Sequence, residues 1–499
     1  MERVYITLTN RFAYVTQASD EALLALRDYW AFYSDGYFHA PAYKLYIREK
    51  ARAIKEKRPD DPIPGWDGKI RMFQRGRVAS GLFRSSRKDA QEALNIKFKI
   101  TYERPVIKPF LPGLPPAIEE YDFQNQCVDQ MCKTLVKGGC TVTAATGSGK
   151  TATTGRFFAK LDYYCLFVVH RINLMYQSQK ELAQWLRYEV GVVGNSEFNP
   201  KQVTVATVQT LKLHQDDPKF QWWFRNVKIV VVDELHKQMA KKNFSLLDKL
   251  RPLARYGLTA TLQLKKKQVR MKAWAFAGPV CFNFPIAQAT EQGVVTKGNV
   301  LQLAFEETYD WSNEKDYHQE YDHEVIDNEI KLRSVRKQVD YLVTKGRYVL
   351  ILVERVRHVA VLDKLFQGVK HRLAYGGIKQ KRREQSQGKF EDGSIRLLIA
   401  NGVAKDGVNL KRVDVVIDMT EFPSKDDTMQ KFGRGVRKHD EKESLLYIDY
   451  TTQTGRFRKA GVSRYRAWKQ AGLPVRKVTV RSVTDAVDAV KGALQCGKQ

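Results

Sequence analysis

The sequence is short of acid, of cysteine and of long apolar runs, and each shortage excludes something. Against 84 Lys and Arg stand only 55 Asp and Glu, a formal net charge of +29 over 499 residues. Confining that much like charge costs self-repulsion, so a polyanionic partner is expected in preference to a merely solubilising surface. No stretch reaches the ~20 apolar residues that span a bilayer. The opening residues Met1 to Ile6 carry no apolar leader run. No membrane partner and a cytoplasmic location are therefore expected. The six cysteines are Cys127, Cys132, Cys140, Cys165, Cys281 and Cys496. None forms a C-x-x-C pair and no His cluster accompanies them, which argues against a zinc site or a disulfide framework. They read as small buried groups in a reducing compartment. Short-period repeats and low-complexity segments are also missing.

What is there is ample core material, 43% hydrophobic residues, and a length that fits roughly three domains. Pro105, Pro109, Pro112, Pro115 and Pro116 exclude helix and central strand between them. They mark 105–120 as a linker closing an N-terminal domain, 1–104. From Tyr121 short apolar runs alternate with amphipathic stretches. The runs 164–169 and 228–232 read as buried parallel strands and 173–187 as a helix. A second series, with runs 348–353, 395–400 and 413–417, begins near Gly298. The pattern predicts an α/β fold: two tandem parallel-sheet domains, 121–297 and 298–452, behind a small α/β N-terminal domain. Residues 453–499 read as a basic C-terminal extension.

Three motifs carry chemistry. Ala144-Ala145-Thr146-Gly147-Ser148-Gly149-Lys150-Thr151 lies between an apolar run and a helix pattern, the context of a phosphate-binding loop. Backbone N–H groups from Thr146, Gly147, Ser148 and Gly149 would surround phosphates, with the helix N-terminus adding a favourable field. Lys150 would reach the β- and γ-phosphates, and Thr151 would hold Mg²⁺. Ala144 replaces the glycine of the strict pattern. Asp233-Glu234-Leu235-His236 closes the strand 228–232. At the carboxyl end of a buried strand, Asp233 would hold Mg²⁺ and Glu234 would orient and deprotonate an attacking water. The plainer alternative is two acids at a helix N-terminus. Arg434 and Arg437, three apart, would share one helix face and supply positive charge to a transferring phosphoryl group. A basic solvated helix end is the plainer alternative.

These segments, with Gly257-Leu258-Thr259-Ala260-Thr261, resemble motifs I, II, VI and III of the superfamily 2 helicases of the DExH type. The resemblance implies two RecA-like motor domains, ATP and Mg²⁺ as cofactors, and nucleic acid as track. It assigns Phe123 and Gln124 to adenine reading, and Gly407 and Gln430 to ATP contact. It assigns His170, Arg171, Thr207 and Asn401 to strand contact, Asn401 standing where Thr is usual. His236, Thr259 and Thr261 would couple hydrolysis to movement.

Within that superfamily, Leu26-Arg27-Asp28-Tyr29-Trp30-Ala31-Phe32, Asp35-Gly36-Tyr37 and Gly65-Trp66-Asp67-Gly68-Lys69-Ile70-Arg71 resemble the N-terminal domain of the phage UvsW-like helicases. The likeness implies a DNA partner with branches, such as Holliday junctions and stalled forks, RNA in hybrids, and phage replication, recombination and repair as setting. An RNA helicase or a restriction-type translocase shares the motor core, and an inactive ATPase fold that only binds nucleic acid is the non-enzymatic alternative. A monomeric or weakly associating chain is expected. The family pattern is interrupted by a basic segment, 46–58. Read without the family, Trp66-Asp67-Gly68 is a tight turn with Gly68 at positive φ, beside which Lys69 and Arg71 could face phosphates. In the tail, Phe457, Tyr465 and Trp468 among basic residues fit either strand stacking or a helix packed on the second motor domain.

Overall fold

The computed structural model describes residues 1–58, 62–114, 121–239, 243, 246–247, 250–260, 267–306, 316–401, 410–421, 425–439, 441–453 and 455–496. Contacts divide the chain into two units: Met1–Thr143 with Thr151–Asn283, and Ala144–Lys150 with Phe284–Gln499.

The first unit holds two sheets and a ribbon. β1 (Glu2–Leu8) and β2 (Phe12–Gln17) are antiparallel. β3 (Ala31–Tyr33) pairs with β4 (Lys69–Arg71) as a two-stranded ribbon. β5 (Arg77–Ala79) and β6 (Ile96–Tyr102) complete the order β5-β2-β1-β6. The helix Ser80–Leu94 covers that sheet. Its Leu82 and Phe83 share one core with Met271 and Ala275 of the helix Lys267–Phe276. A Cβ at Gly81 would fall 2.2 Å from the Trp274 carbonyl, so the two helices meet backbone to backbone. Arg84 donates to the Gly139 carbonyl at 3.0 Å and Asn10 to that of Leu253 at 2.9 Å. The N-terminal layer is thus fused to the first motor sheet, not tethered to it. The proline-rich stretch, where described, forms neither helix nor strand and is held by Leu111 N–H on the Lys160 carbonyl.

That motor sheet comprises β7 (Thr141–Ala144), β8 (Tyr164–Val169), β9 (Gly191–Gly194), β10 (Glu197–Asn199), β11 (Val203–Thr207), β12 (Val227–Val232), β13 (Ala254–Thr259) and β14 (Val280–Phe284), in the order β10-β9-β11-β8-β12-β13-β7-β14. β8, β11, β12, β13 and β7 run parallel. Their side chains are buried on both faces, as continuous aliphatic runs require. The expectation of uniformly reduced cysteines is corrected here. The Cys140 and Cys281 sulfurs are bonded, with Cα atoms 5.8 Å apart. Sheet adjacency of β7 and β14 joins residues 141 apart in sequence, a distance at which no spacing motif can operate.

The second unit is built on an all-parallel sheet. Its strands are β15 (Lys297–Phe305), β16 (Val349–Val353), β17 (His371–Ala374), β18 (Leu397–Asn401), β19 (Val415–Asp418), β20 (Ser444–Thr452) and β21 (Val475–Val480), in the order β17-β18-β16-β19-β20-β15-β21. The tail is part of this domain. The helix Gly455–Gln470 buries Phe457 and Trp468, and β21 pairs with β15. Val490 of the helix Val483–Cys496 enters the main core. Packing, rather than exposed stacking, accounts for Phe457 and Trp468.

Candidate functional site

In the first unit, β7 and β12 flank β13, so the strand that leads into the phosphate loop and the strand that leads into Asp233 end on one sheet edge. Asp233 and Glu234 follow β12 half-buried, and Glu234 takes φ +48°, the left-handed region that side chains avoid. A sharp reversal there starts the short helix Leu235–Gln238. Gly257 makes room for it: a Cβ at that position would lie 2.3 Å from Leu235 Cδ2. The close approach brings His236 Nδ1 within 3.0 Å of Thr259 Oγ1, with Glu234 Oε2 3.5 Å from the same ring nitrogen. His236 therefore stands between Glu234 and the end of β13, hydrogen-bonded to Thr259. Thr261 lies outside the described residues.

Phe123 and Gln124 sit in the first turn of the helix Asp122–Thr134, both buried. His170 and Arg171 follow β8. Gln209 donates to the His170 carbonyl at 3.0 Å, and Arg171 is exposed at the N-cap of the helix Ile172–Leu186. Thr207 is buried at the end of β11, where its Oγ1 caps the helix Val208–Leu213 by accepting from Thr210 N–H at 3.3 Å. In the ribbon, Arg71 directs its guanidinium at Asp67, at 3.0 and 2.5 Å, and at Asp28, at 3.2 Å. It braces the turn. Gly68 has φ +80° and Trp66 Nε1 donates to the Lys69 carbonyl at 2.8 Å, the tight turn expected. Lys69 lies opposite Tyr33 across the ribbon.

The second unit contains the phosphate loop itself, Ala144–Lys150. Ala144 is the last residue of β7, in extended backbone, so its Cβ is tolerated where the strict motif has glycine. Gly147 and Gly149 take φ +87° and +78°. Lys150 Nζ donates to the carbonyls of Ala144 and Ala145, both at 3.2 Å, and opens the helix Lys150–Ala159. Thr151 follows in that helix's first turn. Within this unit the loop packs on the helix Lys425–Gly435: a Cβ at Gly433 would fall 2.3 Å from Thr146 Cβ. One at Gly147 would lie 3.2 Å from the Gly433 carbonyl and 3.4 Å from Arg437 Cγ. Thr146 Oγ1 is buried without a hydrogen-bond partner among the described residues. A glycine-lined turn, a lysine, a helix N-terminus and an unsatisfied hydroxyl suit a polyphosphate.

The arginines need one correction. The helix ends at Gly435, so Arg437 lies beyond it and the two do not share a helix face. Gly433 and Gly435 weaken the last turn. The chain then leaves by bonding Val436 O to Thr296 N–H at 2.7 Å. Lys442 Nζ caps the released end, donating to the carbonyls of Gly435 and Arg437. Gln430 is buried in the same helix. Asn401, at the end of β18, accepts from Gly376 N–H at 3.2 Å, and Gly407 lies outside the described residues.

Sequence reasoning missed what fixes this helix. Lys431 Nζ meets Asp418 Oδ2 at 2.9 Å, and Asp418 also accepts from Tyr447 Oη at 2.6 Å and Thr420 Oγ1 at 2.7 Å. Asp418 and its three partners are all buried. Burial pushes the Asp418 pKa up, but Lys431, Tyr447 and Thr420 outweigh it and hold the carboxyl below its ordinary range. An acid closing an aliphatic strand was the available signal.

Residues 117–264 match the family model for the type III restriction enzyme res subunit, and residues 331–439 match the helicase conserved C-terminal domain. The DNA 3'-5' translocase XPB2 of Sulfurisphaera tokodaii is 24% identical over 435 residues, covering 76% of this chain and 95% of that protein. The helicase IRC3 of Saccharomyces cerevisiae is 22% identical over 362 residues, 66% of this chain and 51% of that protein, so the chain spans about half of that relative. Among solved structures, the DNA-bound type ISP restriction-modification enzyme LlaBIII is 14% identical with a TM-score of 0.55, covering 76% of this chain and 33% of that one. UvsW of T4 is 17% identical and covers 96% of this chain and 99% of that one, at a TM-score of 0.45. With both helicase halves matched in order, the chain belongs to the superfamily 2 helicases.

Proposed function

We propose that this helicase is a Mg²⁺-dependent DNA translocase that remodels branched DNA, migrating Holliday junctions and regressing forks. The observation that carries the catalytic part is the phosphate loop packed on the segment bearing Gly433 and Arg437. Lys150 and the loop N–H groups hold the β- and γ-phosphates of ATP. Asp233 and Thr151 are the residues that would hold Mg²⁺, which when bound neutralises charge on the transferring phosphoryl group. Glu234 takes the proton of the attacking water. Arg434 and Arg437 offset the charge that develops. Phe123, Gln124, Gln430 and Gly407 contact the nucleotide. The bond from His236 to Thr259 passes the state of the acid pair to the end of β13.

His170, Arg171, Thr207 and Asn401 are assigned to one strand, Thr207 and Asn401 through the backbone turns they fix. Residues 1–104 are read as a DNA-binding domain, 121–297 and 298–452 as the motor halves. The branched substrate rests on the resemblance of the segments 26–37 and 65–71 to the UvsW-like pattern and on the charge of +29. A monomer in the phage-infected host is the setting this reading implies. A second reading, a restriction-type motor that tracks along unbranched duplex, is favoured by the family model over 117–264.

The test is ATP-dependent processing of a labelled four-way junction and fork beside linear duplex and RNA duplex. Junction and fork should be resolved first. Equal turnover on linear duplex without strand rearrangement would favour the second reading, and preference for RNA would overturn the DNA assignment.

A further inference from the structure

The helix Pro41–Lys55 holds most of the basic segment that interrupts the family pattern, and it is packed on almost nothing. Of its 15 residues only Ala53 is buried, with Tyr43 and Tyr46 partly covered. Leu45, Ile47 and Ile54 are 37%, 46% and 60% exposed. Five bases and one acid lie along it. A helix that buries so little gains little from the core. The helix is nonetheless held in place. Tyr37 meets Tyr43 edge to face at 4.8 Å, and Trp66 N–H donates to the Ala42 carbonyl at 3.1 Å.

Beside it stands an aromatic group on a different element. Tyr33, at the end of β3, stacks on Tyr37 with centroids 4.6 Å apart and planes 27° apart, yet is 51% exposed. Phe38 is 55% exposed. Lys69, its cross-strand neighbour, sits 5.9 Å from the Tyr33 ring, and Lys50 sits 5.8 Å from that of Tyr46. The ribbon belongs to the layer fused with the first motor sheet, since Phe32 enters that shared core.

We propose that Tyr33 and Phe38, with Lys69 of the ribbon and the exposed bases of the neighbouring helix, form a platform for an unpaired nucleic-acid strand, bases on the rings and phosphates on the cations. Rings can stack only on bases that are already unstacked from a duplex, and stacking of this kind tolerates any sequence. The charge of the helix suits a polyanion. A membrane surface fits less well. At about 100° per residue, Ile47 and Ile54 lie roughly opposite Leu45, so the helix has no single apolar face to lay on lipid. The proposal rests on the reading of the chain as a nucleic-acid motor, for which it supplies a hold on the strand that separation releases.

The test uses the full chain without nucleotide. Fluorescence anisotropy compares a labelled oligothymidylate, an abasic oligomer of equal length and a blunt duplex, and sedimentation measures binding to phosphatidylglycerol vesicles. Wild type should prefer oligothymidylate to the abasic oligomer by about tenfold or more. The double variant Tyr33→Ala/Phe38→Ala should lose that preference while binding the abasic oligomer and the duplex within about twofold of wild type, since their phosphates are untouched. Lys44→Glu/Arg48→Glu should weaken oligothymidylate and abasic oligomer alike. Unchanged oligothymidylate binding in both variants would overturn the proposal. So would a charge reversal that abolishes vesicle binding and spares the oligonucleotides. Wild-type ATPase is read separately: if DNA fails to stimulate it, the motor reading falls, while a base preference lost in Tyr33→Ala/Phe38→Ala still stands.

Discussion

β12 and β19 are both buried aliphatic strands closed by an aspartate, Asp233 just after the first and Asp418 at the end of the second. Glu234, next to Asp233, and Glu421, three residues after Asp418, both lie in the left-handed region at φ +48°. Their surroundings differ. Asp418 is 1% exposed and ion-paired to Lys431, and Glu421 is 2% exposed and ion-paired to Lys331. Asp233 and Glu234 remain half-buried. Burying a carboxylate costs several kcal/mol unless a cation and hydrogen bonds replace the lost water. In the second unit lysines do so: Asp418 anchors the helix that carries Arg434, and Glu421 anchors the helix Glu329–Thr344. In the first unit the acids are only partly buried, although Asp233 Oδ1 and Glu234 Oε2 are themselves enclosed.

Exchanging the two roles by mutation breaks the comparison most strongly. Glu234→Gln should lower ATP turnover by about a thousandfold, the scale of general-base loss, with an unchanged urea midpoint. Lys431→Met should do the converse. It strands Asp418 and should cost about 3–5 kcal/mol in urea denaturation. Arg437→Ala should slow hydrolysis by about a hundredfold and weaken ATP binding much less, which nucleotide fluorescence would separate from turnover.

Asp414, near the start of β19, sharpens the contrast. Its nearest cation, Arg347, is 3.5 Å away, and burial pushes its pKa up to about 6. Its folded pKa lies above the unfolded value near 4, so its contribution to stability is full below pH ~4 and lost as pH rises through ~6. Asp414→Asn should flatten the stability profile in that window by roughly 3 kcal/mol, measured as urea midpoints against pH. The smallest effect belongs to the link. His236→Ala should change basal ATPase by only about fivefold, one hydrogen bond's worth, while strand displacement per ATP falls further.

The local features were legible in the sequence. The strand read at 164–169 is β8, and the helix read at 173–187 is Ile172–Leu186. Both follow from short-range periodicity and burial on two faces. The phosphate loop and the acid pair stood out because their chemistry dictates contiguous residues. Contacts made by folding were not legible. His236 finds Thr259 across 23 residues, and Lys431 finds Asp418 across 13. Cys140 and Cys281 meet because their strands are neighbours. The tail looked unpatterned because its bases mask a helix whose Phe457, Arg464 and Trp468 turn inward, Arg464 onto Asp449 at 2.9 Å. Arg437 was placed on a helix that two glycines end early.

We propose above all that the phosphate loop serves an ATP hydrolysis stimulated by nucleic acid. ATP turnover with and without DNA, in wild type and in Lys150→Ala, tests it most directly. Wild-type turnover should rise on DNA and the variant should fall to background. Undiminished DNA-stimulated turnover in Lys150→Ala would contradict the account.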